Sequence, residues 1–157
     1  MKYIRFNPVK TIFNAIISLV FFFTFSIGYS SPHAALIDGA LRGNLIAVRS
    51  ALKKGASIHA KNSSGNTALM IACGIGSLEI VKLLLQYGSK VNEKNRLGST
   101  ALMAASASGH TEIVEMLIRA GANVNEKNRL GKTALYYASA FDYLSIAAML
   151  RHAGARE

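Results

Sequence analysis

Two kinds of apolar segment alternate along the chain from about residue 67 onward. One kind is built on small residues, Ala68, Ala72, Ala101, Ala104, Ala105, Ala134 and Ala138. The other carries larger side chains, with Leu78, Ile80, Val81, Leu83, Leu84 and Leu85 in one place and Ile113, Val114, Met116, Leu117 and Ile118 in another. Apolar residues recurring at helical spacing predict amphipathic helices. The difference in size then predicts their division of labour: an inner helix that lets its neighbours come close, and an outer one that supplies the bulk of the core. Thr67, Thr100 and Thr133 stand ahead of the alanine-rich helices as N-caps, where a hydroxyl accepts from an otherwise unpaired first-turn amide. Gly76 and Gly109 interrupt the pattern, and Glu79 and Glu112 then fall in the first turn of the outer helix, where the helix dipole favours a carboxylate. Gly88, Gly121 and Gly154 stop that helix as left-handed C-cap residues, and a polar, extended excursion follows.

The unit returns. Gly65-Asn66-Thr67-Ala68-Leu69 reappears 33 residues later as Gly98-Ser99-Thr100-Ala101-Leu102, and again as Gly131-Lys132-Thr133-Ala134-Leu135. Residues 91–98 and 124–131 are identical at all eight positions. A fixed period of this size means a solenoid, in which no unit can bury its apolar face alone. A more divergent unit precedes these, with Ala34, Ala40, Gly43-Asn44-Leu45, Ala47-Val48, Leu52 and Gly55-Ala56 one period ahead of their counterparts.

With these residues in place the sequence resembles the ankyrin repeat family, whose motif runs approximately G-x-T-P-L-H-x-A-A, then G-H, then an apolar helix ending in G-A-x-V-N. The matching stretches are 65–72, 98–105 and 131–138, Gly109-His110, and Gly121-Ala122-Asn123-Val124-Asn125. The resemblance implies an all-α solenoid of about four helix-turn-helix units, roughly 34–66, 67–99, 100–132 and 133–157, joined by short β-hairpin loops. Two departures stand out: Ala68, Ala101 and Ala134 replace the family's proline, and Met70, Met103 and Tyr136 replace its histidine. The first removes a preorganised helix start. The terminal units should be solvated caps; Arg42, Asn44, Arg49, Lys53 and Lys54 make the first polar, whereas Tyr136, Tyr137, Phe141 and Tyr143 leave rings in the last with nothing expected to cover them.

Residues 1–30 are of another composition and are set apart from the repeat domain, 31–157. Lys2, Arg5 and Lys10 precede an uncharged apolar run, 12–27, followed by Gly28, Ser30 and Ser31. Basic, apolar, small is the order of an export signal; the length of the run lies between a usual signal core and the roughly 20 residues that span a bilayer, so it also reads as an apolar N-terminal helix retained as a membrane anchor. Either reading places the repeats outside the cytoplasm, secreted, periplasmic or tethered to the inner membrane by 12–27, and the secreted form is open to a role inside a host cell.

Charge adds one fact. The chain holds 18 basic and 8 acidic residues, and setting Lys2, Arg5 and Lys10 aside still leaves 15 against 8 in the remainder. Such an excess favours acidic partners by long-range attraction. It lacks the aromatic platform, recognition helix or zinc module that specific nucleic-acid binding requires.

Catalytic chemistry is not legible. Gly131-Lys132-Thr133 imitates the end of a phosphate loop, yet Glu126 stands where that loop needs glycine, and the repeat already explains the triplet. His33, His59, His110 and His152 share no ligand spacing. Cys73, the single cysteine, sits in an apolar stretch as a buried hydrophobe and excludes any intramolecular disulfide. No nucleophile stands beside a base, so the expectation is a non-catalytic scaffold for another protein, without cofactor, metal or small-molecule substrate. The resemblance implies that fingers and inner helices form the working groove. In this chain its edge would hold Lys61 and Asn62, then Lys94, Asn95 and Arg96, then Lys127, Asn128, Arg129 and Lys132, a cationic ridge repeated every 33 residues.

Overall fold

The computed structural model describes residues 31–156. The expected apolar N-terminal helix and the 12–27 anchor lie outside the described residues. Among the described residues no helix is long and apolar enough to cross a membrane.

Among the described residues eight helices form four antiparallel pairs: α1 (Pro32–Leu41) with α2 (Leu45–Lys53), α3 (Ala68–Ile75) with α4 (Leu78–Gln86), α5 (Ala101–Ala107) with α6 (Thr111–Arg119), and α7 (Ala134–Ala140) with α8 (Leu144–His152). The odd-numbered helices pack in order as an inner row and the even-numbered ones as an outer row. This is the expected all-α ankyrin-type solenoid. Alanine makes the inner row possible: Ala68, Ala72, Ala101, Ala105, Ala134 and Ala138 are all buried, and a single methyl lets two helix backbones approach. Leu69, Ile80, Leu84, Leu102, Leu117, Leu135, Ile146 and Leu150 fill the space between the rows and are almost wholly removed from water. Each such side chain contributes about 1.5 to 3 kcal/mol of transfer free energy.

The caps follow the sequence. Thr67, Thr100 and Thr133 accept through their hydroxyls from the amides of Met70, Met103 and Tyr136 at 3.3, 3.4 and 3.1 Å. The divergent first unit achieves the same end with Ser31, which accepts from the Ala34 amide at 3.2 Å, and Pro32 at the first helical position. Every outer helix ends alike: after α4, Gly88 at φ 84° donates to the Leu85 carbonyl and Ser89 to that of Leu84, both at 3.0 Å. This paired closure, with the left-handed residue just past the helix, recurs at Gly55, Gly121 and Gly154.

Between inner and outer helices the units lock together. The His110 ring of the third unit lies on Gly76 of the second, so close that a Cβ there would sit 2.4 Å from His110 Cε1, and Tyr143 lies on Gly109 in the same way. The matching position of the last unit is Asp142, at φ 58°. Asp142 is exposed, so its side chain extends into solvent. The end rings are uncovered as anticipated: Tyr136, Phe141 and Tyr143 are exposed, and Leu144 with them, while Tyr137 is half-buried.

Candidate functional site

The polar excursions fold into three fingers whose tips are 62–66, 95–99 and 128–132. In each, the asparagine side chain does the work of a backbone turn. Asn62 Oδ1 accepts from the amides of Ser64 and Asn66, both at 3.0 Å. Asn95 Oδ1 accepts from Leu97 and Ser99, both at 2.9 Å, and Asn128 Oδ1 from Leu130 and Lys132 at 3.0 and 2.9 Å. Two backbone bonds close each tip: the Asn62, Asn95 and Asn128 amides donate to the Asn66, Ser99 and Lys132 carbonyls at 3.0 Å, and the Gly65, Gly98 and Gly131 amides donate back to the asparagine carbonyls at 2.9 Å. Hairpin strands do not develop: an isolated bridge between Lys61 and Thr67 is the sole β pairing among the described residues, because the stem is too short for a ladder.

The fingers stack on one another through their main chains. Arg96 donates its amide to the Ser64 carbonyl at 3.1 Å and Arg129 to that of Leu97 at 2.9 Å. Gly65, at φ 79°, is needed for this approach, since a Cβ would lie 2.9 Å from the Arg96 nitrogen. Deeper in, Asn92 clasps the next unit, donating to the Gly121 carbonyl at 3.0 Å and accepting from the Asn123 amide at 2.8 Å. Asn125 repeats this with Gly154 and Arg156 at 3.0 and 2.8 Å.

These bonds bring the expected cations into register and divide them into two groups. Lys61 Nζ meets Glu93 Oε2 at 2.7 Å, and Lys94 Nζ meets Glu126 Oε2 at 2.5 Å. His59 Nδ1 adds a contact to Glu93 Oε1 at 3.0 Å. Partial burial works to raise the pKa of Glu93, but the hydrogen bond and charge of Lys61, with His59, outweigh it and hold the carboxyl below the ordinary carboxylate range. Each lysine is thus matched by the carboxylate 32 residues on, in the following unit. Arg96, Lys127 and Arg129 are exposed and form no ion pair with the described residues. Lys132 stands 3.6 Å over the centroid of the Tyr136 ring.

The asparagines sit beneath this surface. Asn128 is 7% exposed, and its Nδ2 donates to the Tyr137 hydroxyl at 2.9 Å, while Asn95 Nδ2 donates to Asn66 Oδ1 at 2.7 Å. Leu97 and Leu130, which follow the two arginines at the tips, are 63% and 74% exposed. They were missing from the cationic reading of the edge, although their place beside Arg96 and Arg129 in the repeated octapeptide was a visible signal. Cys73 is wholly buried, and desolvation pushes its thiol well above the usual cysteine range, which suppresses thiolate chemistry.

A model of three ankyrin repeats matches residues 33–128 and, in a second register, 89–156. The chain belongs to the ankyrin repeat family. No curated protein matches it as a relative. Ankyrin repeats are generally protein–protein interaction modules and typically non-catalytic. In this ankyrin protein the fingers and the inner helices α3, α5 and α7 share one side, where a cavity of about 290 Å³ lies between Asn66, Met70, Asn95, Ser99, Met103 and neighbouring residues.

Proposed function

We propose that this ankyrin domain captures another protein by an acidic surface laid along the finger row. The observation that carries the reading is the placement of Arg96 and Arg129, each exposed, each followed by an exposed leucine, on tips tied together by main-chain hydrogen bonds. Rigid presentation reduces the ordering cost of association. Cations speed encounter with an acidic partner, and the adjoining leucines supply apolar area once contact is made. Lys61 and Lys94 contribute less, since Glu93 and Glu126 already compensate them.

The test is capture of partner protein by the tagged chain and by its Arg96→Glu/Arg129→Glu variant. We expect unchanged circular dichroism, loss of the captured protein, and weaker capture by the native chain as salt rises. Equal capture by both would end the proposal.

We propose further that the repeats work outside the cytoplasm. This rests on Lys2, Arg5 and Lys10 ahead of the apolar run 12–27 and the small residues after it. Mass measurement after cell fractionation tests it: a chain shortened by about 30 residues in the extracytoplasmic fraction is the exported form, and a full-length chain in the membrane is the anchored one. Full-length chain in the cytosol excludes both.

A further inference from the structure

The lysine row contains its own template for a missing ligand. Lys61 and Lys94 each hold a carboxylate delivered by the next unit, at 2.7 and 2.5 Å. Lys127 is the third member of the row, and no acidic side chain of the described residues reaches it. The last finger also departs from its predecessors at two positions facing the same space. Where earlier units carry Asn66 and Ser99 the last has Lys132, and where they carry Met70 and Met103 it has Tyr136. Met70 and Met103 are buried, whereas Tyr136 is 45% exposed.

These changes converge. Lys127, Lys132 and Tyr136 line one cavity of about 310 Å³ with Thr133 and Ser139, and no acid contributes to its wall. The Tyr136 ring holds the Lys132 ammonium from below, so one of the two charges is already positioned. Thr133 uses its oxygen as an acceptor for the Tyr136 amide, which leaves its hydroxyl proton available to a ligand. Two ammoniums, a hydroxyl and an aromatic wall form a receptor for a carboxylate, and the volume is at the small end of sites that hold compact organic groups.

We propose that this cavity of the last finger binds a carboxylate of a partner polypeptide, its oxygens placed between Lys127 and Lys132 as Glu93 and Glu126 are placed on Lys61 and Lys94. This deepens the interaction reading above and rests on it, by naming the group on the partner that is recognised. The carboxylate has two sources, an aspartate or glutamate side chain and a chain terminus.

Fluorescence anisotropy with the whole chain separates them. The probe is a labelled, C-terminally amidated peptide alternating glutamate and alanine; a second peptide has glutamine for each glutamate, and a third is the glutamine peptide with a free C-terminus. We expect the glutamate peptide to bind at least tenfold more tightly than the amidated glutamine one; recovery of binding by the third peptide would assign the site to chain termini instead of side chains. Lys127→Ala and Lys132→Ala should each weaken binding about tenfold with unchanged circular dichroism. Lys94→Ala removes the same charge from a lysine that already has its carboxylate and should change binding less than twofold. Three results overturn the site: no preference for either carboxylate peptide over the amidated glutamine one, an effect of Lys94→Ala equal to that of Lys127→Ala, or a single-stranded DNA oligomer displacing the peptide at lower concentration than unlabelled peptide does. The outcome is separable from that of the ridge, because Arg96→Glu/Arg129→Glu tests capture while leaving the cavity residues in place.

Discussion

Asn128 offers the sharpest test of what holds a finger together. Replacing it with alanine removes an acceptor from two amides and a donor from the Tyr137 hydroxyl. The Leu130 amide belongs to an exposed residue and can turn to water, but that of Lys132 is half-buried and the tyrosine oxygen loses its amide partner. A net hydrogen bond contributes about 1 kcal/mol, and a buried donor left unpaired costs about 1 to 3 kcal/mol. We therefore expect Asn128→Ala to destabilise by about 2.5 kcal/mol, which for a domain of this size lowers the melting temperature by about 9 °C. Asn128→Asp keeps the turn acceptor and should lose less than half of that, and Tyr137→Phe, which deletes only the hydroxyl, about 1 kcal/mol. Urea and thermal unfolding followed by circular dichroism measure the totals. Hydrogen exchange at the Lys132 amide reports whether the loss is local, as it should be when a repeat unit contacts only its neighbours. Asn128→Ala within about 0.5 kcal/mol of the native chain, or a Tyr137→Phe loss as large as that of Asn128→Ala, would refute the assignment of the stabilisation to the turn.

Other consequences can be checked on the same variants platform. Ser89 and Ser106 have buried hydroxyls with no partner among the described residues; Ser89→Ala and Ser106→Ala should each stabilise by about 1 kcal/mol in urea unfolding, and Ala56 and Ala122 already occupy the place of Ser89 in neighbouring units. Asp142 holds a left-handed conformation that glycine adopts freely, so Asp142→Gly should raise the melting temperature through a gain of up to about 1 kcal/mol. Because Glu93 is held ionised in the folded chain below its ordinary value near 4.5, its pairing stabilises fully above that pH and is lost as the pH falls through the lower folded value; Glu93→Gln should flatten the dependence of stability on pH below 4.5 and leave its slope above pH 6 unchanged.

The repeat made most of the architecture readable, because capping threonines, closing glycines and alternating alanine-rich and leucine-rich helices all recur in phase. What escaped the reading had physical causes. Ser31 caps the first helix and Pro32 opens it, but Ser31 stands directly after Gly28 and Ser30 and reads with them as one of the small residues that follow the apolar run. The pairing of Lys61 with Glu93 and Lys94 with Glu126 depends on how finely one unit is offset from the next, which a period of 33 does not specify. The β-hairpins implied by the family resemblance shrank to asparagine-closed turns, since Asn62, Asn95 and Asn128 satisfy amides that strands would otherwise pair. The cationic edge was legible by composition, whereas the Lys127 and Lys132 cavity required knowing which lysines were already neutralised.

The main-chain hydrogen bonds from Arg96 to Ser64 and from Arg129 to Leu97 use only atoms common to nearly all residues. The distance from one tip to the next is therefore a ruler written in main chain, indifferent to the letters printed on it. Ser63-Ser64, Arg96-Leu97 and Arg129-Leu130 can be exchanged like type in a fixed frame, so that a library varying those six residues would change what the edge reads without changing where it reads.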